Sequence, residues 1–88
     1  MTSPVLSEIQ RAATYGDILL SRHAEERCDE RSVRATDIKR AIKTATSAVV
    51  QGNDAILVSG GVDVSGDALN IVCQLVRRGV YIITVIGA

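Results

Sequence analysis

Apolar positions change their spacing halfway along this chain, from a helical period to a strand period. Val5, Leu6, Ile9, Ala12 and Ala13 recur as one face of a helix. Ser3-Pro4 opens it, with Pro in a first turn that needs no amide donor. Thr14-Tyr15-Gly16-Asp17 closes it. Ile18-Leu19-Leu20 reads as an extended lead-in, or a loose first turn, to a second helix. That helix is N-capped by Ser21 and runs to Arg31-Ser32. A third helix follows Arg34-Ala35-Thr36-Asp37 and carries Ile38, Ala41, Ile42 and Ala45 on one face, with Val49 continuing it. Lys39, Arg40 and Lys43 fall opposite and read as a solvated face.

From Val49 onward the period is two. Val49–Gln51 and Ala55–Ser59 flank the turn residues Gly52-Asn53-Asp54, as two short strands would. Gly60–Asp67 is turn chemistry. Its Asp-x-Ser-Gly-Asp lacks the ligand set of a calcium loop, and Gly60-Gly61 lacks the Lys-Ser/Thr of a phosphate loop. No cofactor is expected. Ala68–Val76 and Val80–Ile86, joined by Arg77-Arg78-Gly79, are the strongest strands and should be central. Leu69, Ile71, Cys73 and Leu75 share one face of the first, and Leu69, Ile71 and Leu75 are predicted to pack on Ile38 and Ile42. Asn70, Val72 and Gln74 share the other. The second strand is apolar at nearly every position, as for a strand covered on both sides. The expected fold is α+β, with two or three N-terminal helices on one face of a three- to four-stranded antiparallel sheet.

Composition narrows the function. Eighty-eight residues make one domain. Ten Lys and Arg balance ten Asp and Glu, which argues against nonspecific coating of nucleic acid while leaving room for a local basic site. The apolar runs are too short to span a bilayer, and Met1-Thr2-Ser3-Pro4 has no signal-peptide pattern. The expectation is a cytoplasmic protein with no membrane partner. Cys28 and Cys73 have no metal-ligand spacing and sit on apolar faces, as reduced thiols do.

The candidate chemistry lies in the second helix. At about 100° per residue, His23, Arg27 and Arg31 fall within about 80° of one another, beside the apolar pair Ala24 and Cys28. The chain's single histidine thus shares a helix edge with two guanidinium groups. Such an edge suits an anion or phosphate, and it equally suits a salt-bridged surface helix.

The run Leu20-Ser21-Arg22-His23-Ala24-x-x-Arg27-x-x-x-Arg31-x-Val33, then Asp37-Ile38-x-x-Ala41-Ile42, then strands closing on Tyr81–Ile86, resembles a largely uncharacterised family of small bacterial domains. That family is grouped with the RelE/BrnT-like toxins, compact metal-independent ribonucleases. The resemblance covers residues 18–86, so residues 1–17 form a helix outside a RelE/BrnT-like domain spanning 18–88. Ser32 stands where the pattern has Gly, and Arg34 where it has a capping Ser or Thr. The resemblance implies RNA cleavage through the substrate's own 2′-hydroxyl. His23 would be general acid or base, Arg27 and Arg31 would hold the phosphate, and Thr84 in the last strand would complete the catalytic set. Asn70, Gln74 and Tyr81 would bind the nucleotide from the sheet. Three functions stay open: a toxin-like endoribonuclease neutralised by a cognate antitoxin, a non-catalytic relative binding RNA or protein by the same edge, and a structural homodimerisation module.

Overall fold

Each helix is held by the residues its spacing predicts. The structure, a computed structural model, describes residues 4–87, so the Ser3 opening of the first helix lies outside the described residues. Helix α1 (Pro4–Tyr15) buries Leu6, Ile9 and Ala13. Helix α2 (Arg22–Arg31) buries only the small residues Ala24 and Cys28. The Ser21 hydroxyl caps it by accepting from the Ala24 N–H at 3.0 Å. Ser32 ends it in the left-handed region at φ 55°, ψ 37°, a conformation that favours Gly. Helix α3 (Ala35–Thr44) buries Ile38, Ala41 and Ile42. Arg34 has no side-chain acceptor to cap it, so the Asp37 carboxylate closes the start alone, accepting from the Arg34 N–H at 2.9 Å. Val49 does not continue this face. The helix stops at Thr44, and Val49 is an exposed strand residue.

The strands are β1 (Asp17–Leu20), β2 (Ser47–Val50), β3 (Ile56–Ser59), β4 (Leu69–Val76) and β5 (Gly79–Gly87), in the order β1-β5-β4-β3-β2. β4 and β5 are interior and antiparallel, as expected. The sheet nevertheless has five strands rather than three or four, and it is mixed. The lead-in at Ile18–Leu20 is an edge strand, lying parallel to β5 with Ile18 opposite Val80 and Leu20 opposite Ile82. Four residues carry too little periodicity to announce a strand. Their partner lies about sixty residues away, so local sequence could not reveal the pairing. Gly79 permits the close approach: its φ is +152°, and a Cβ there would collide with the Asp17 backbone.

The core is one-sided. Ile56, Val58, Leu69, Ile71, Cys73, Val80, Ile82 and Val85 are buried with the helix residues in a single cluster, and the registers place them in common inward rows. β5 is therefore covered on one face, not both. Leu75 points inward by register but is 37% exposed, because it lies near the β4–β5 turn at the margin of the core. The predicted packing against Ile38 and Ile42 thus fails for Leu75, while Leu69 and Ile71 are buried.

Candidate functional site

A bulge in β5 fixes where α2 sits. Val72 pairs with Thr84 and Cys73 with Ile82, leaving Ile83 as an extra residue. Its freed carbonyl accepts from the Ser21 hydroxyl at 2.8 Å, and the Ser21 N–H donates to the Ile82 carbonyl at 2.9 Å. One serine thereby caps α2 and ties its first turn to the sheet.

From that anchor the candidate edge can be followed turn by turn. An i, i+4 row drifts about 40° per step around a helix, so it spirals relative to the buried Ala24–Cys28 strip. His23 begins the row well away from that strip, Arg27 sits at its margin, and Arg31 comes alongside it. His23 is exposed, Arg27 half-buried and Arg31 exposed. The Arg31 guanidinium lies so close to Gly87 that a Cβ there would strike it, in a hollow also lined by Val33, Asp63, Asp67 and Leu69. His23 and Arg31 are two turns apart, about 12 Å along the axis. Arg27 is 3.5 Å from Glu30 and Arg22 is 3.9 Å from Glu26, both partly exposed pairs worth about 0.5 kcal/mol or less. His23 and Arg31 have no hydrogen bond or ion pair among the described residues.

The four other predicted residues belong to a different layer. Asn70 lies opposite Ile86, Gln74 opposite Tyr81, and Val72 opposite Thr84, all in rows facing away from the helices. Asn70, Gln74, Tyr81 and Thr84 are thus brought together on the open face of the sheet, while His23, Arg27 and Arg31 stand in the helix layer. Gln74 is already engaged, donating to the Asn53 carbonyl at 3.0 Å. Aliphatic residues share these rows: Val49, Leu57 and Val72 form one row with Thr84, and Leu19 continues the Gln74–Tyr81 row. These rows hold no Lys, Arg, Asp or Glu. Leu19, Leu57 and Val72 are partly covered by neighbours but do not pack on the core. Period-two reading placed Asn70, Val72 and Gln74 together. Only the strand order could show that Leu19, Val49 and Leu57 join them.

Neither cysteine is poised for reaction. Both are free and buried, and burial pushes the Cys73 thiol up to about 12. Burial raises the Cys28 thiol too, assisted by the negative charges of Asp29 and Asp37. Among the described residues no group of three or more His, Cys, Asp or Glu could hold a metal ion, and no helix is long and apolar enough to cross a membrane.

The fold and its surfaces define a two-layer α+β domain with helices on one face of a mixed sheet and the other face bare. Residues 20–86 match the domain of unknown function DUF4258, more than half of the chain, and the chain belongs to that family. The match begins within β1 and leaves α1 outside. It carries no activity, and nothing in it connects the chain to RelE or BrnT toxins. No curated protein and no solved structure matches the chain significantly.

Proposed function

We propose that this domain is a protein-interaction module that docks through its open sheet face, with a second copy of the chain as occupant. The carrying observation is that the rows Val49–Leu57–Val72–Thr84 and Leu19–Tyr81–Gln74 hold no charged residue, with aliphatic residues from four of the five strands. Phosphate binding is driven by cations, and this face offers none, so an RNA strand gains little there. An apolar face pays for its exposure to water until another apolar surface covers it. A twofold pairing brings identical rows together without burying a charge, which suits a self-complementary contact. Five strands about 4.8 Å apart and four to nine residues long give each copy on the order of 500 Å². That is the low end for specific interfaces, so association should be reversible at micromolar concentrations. Sedimentation velocity across a concentration series tests this. Wild type should show a monomer–dimer equilibrium, and Leu57→Asp or Val72→Asp should stay monomeric with an unchanged melting temperature. A wild type that remains monomeric at millimolar concentration sinks the reading.

A second reading rests on His23, exposed and unpartnered one turn from Arg27. Under it the domain is a toxin-like endoribonuclease, in line with the RelE/BrnT resemblance, and the protein partner is an antitoxin. His23 would move the proton of the substrate's 2′-hydroxyl, and Arg27 would release Glu30 to hold the phosphate. RNA cleavage by wild type, lost in His23→Ala, is the result this reading requires.

A further inference from the structure

On the helix side, between α1 and α3, lies a half-open groove of about 390 Å³, lined by Gln10, Thr14, Thr36, Lys39, Arg40 and Lys43. From it we infer a binding site for a compact, multiply charged phosphate group, such as the pyrophosphate of a nucleoside di- or triphosphate. Three cations border the groove and no carboxylate lines it. Among the described residues none of the three has an ion-pair partner, although the chain as a whole is neutral. The only acid in α3, Asp37, is fully used. Its two oxygens accept from the Arg34 N–H at 2.9 Å and from the Val64 N–H at 3.0 Å. That second bond holds Val64, itself a wall of the groove, in place.

Lys39 and Lys43 are one turn apart, and Arg40 lies beside both, so the three charges repel at close range. An anion shared among them removes that repulsion and makes charge-assisted hydrogen bonds with each. The Thr36 hydroxyl, which has no partner among the described residues, is a further donor. Gln10 fixes the groove's shape, because its amide donates to the Ile42, Lys43 and Ala45 carbonyls at 3.2, 3.3 and 3.4 Å and ties α1 to the end of α3. The cations are clustered within little more than one turn, with no aromatic wall for stacking a base. That arrangement fits a compact polyanion better than an extended RNA strand. Three of the groove's eight lining residues, Gln10, Ala13 and Thr14, come from α1, which lies outside the family match.

Titration of the full chain with pyrophosphate at low ionic strength, followed by amide NMR shifts, tests the site. The expected result is saturable binding, with shifts confined to residues 10–14, 36–43 and 64, and tighter binding than for orthophosphate. Lys39→Gln/Lys43→Gln should weaken it by about tenfold or more, with the ligand-free melting temperature unchanged or raised. Leu57→Asp, on the opposite layer, should bind as wild type does, which keeps this test separate from that of the sheet face. Three results overturn the inference. They are equal affinity in the double variant, a fall in its ligand-free melting temperature, or binding of single-stranded RNA without binding of pyrophosphate.

Discussion

Helices α2 and α3 are both ten residues long, yet they meet the problem of charge and burial in opposite ways. α2 is crowded with both signs of charge, pairs Arg22 with Glu26 and Arg27 with Glu30, and grips the core only by Ala24 and Cys28. Its position comes from Ser21, which ties it to the β5 bulge. α3 grips the core with Ile38 and Ile42, and leaves Lys39, Arg40 and Lys43 uncompensated. A dense charge pattern in sequence is therefore a poor pointer to an electrostatic site. What counts is charge left over after neighbours on the same helix have paired.

The contrast can be broken most forcefully at the core. Ile42 is fully buried, so Ile42→Ala should cost about 2–5 kcal/mol in chemical denaturation. A loss below about 1 kcal/mol would mean that α3 is not the better-anchored helix. The buried thiols give the next effect. Folding holds the Cys73 thiol protonated up to about 12, whereas in the unfolded chain it ionises near ~8.5. The folded state thus keeps its proton longer. This contribution is complete below the unfolded value and is lost as pH rises through the window between the two, at up to about 1.4 kcal/mol per pH unit. Urea unfolding from pH 7 to 11 should show the decline, and Cys73→Val should remove most of it.

Ser21→Ala takes from α2 its cap and the bond to Ile83, and should cost about 1–2 kcal/mol. A cost no larger than that of an exposed surface substitution would show that α2 is placed by something else. Ser32→Gly works in the other direction. Relieving a left-handed non-glycine residue should stabilise the protein by about 1 kcal/mol, read as a higher melting temperature. The smallest effects bear most directly on the comparison. Glu30→Gln leaves Arg27 unpaired and should destabilise by about 0.3–0.5 kcal/mol. Lys43→Gln, which relieves like-charge neighbours, should stabilise by about 0.2–0.5 kcal/mol. If both changes shift stability the same way, the two helices do not differ as described.

By itself the sequence determined the parts whose information is local. The apolar faces of α1, α2 and α3, the Ser21 cap and the interior pair β4–β5 all follow from spacing and turn chemistry within a few residues, and all are found. The chain does belong to an uncharacterised family, over residues 20–86, but nothing in that match connects it to the RelE or BrnT toxins or to the His23–Arg31 row. Tertiary structure alone decided that Ile18–Leu20 is a parallel edge strand, because its partner residues 79–82 are distant in the chain. It also decided that the Arg31 guanidinium lies beside Gly87 while His23 is exposed. A helical wheel projects a spiralling row onto one edge, and only the packed helix shows which end of that row reaches β5 and which reaches water. Lys39, Arg40 and Lys43 read as a solvated face because periodicity reports which side avoids the core, not what stands across from it. α1 stands across from it, and that neighbour makes an exposed face into a groove.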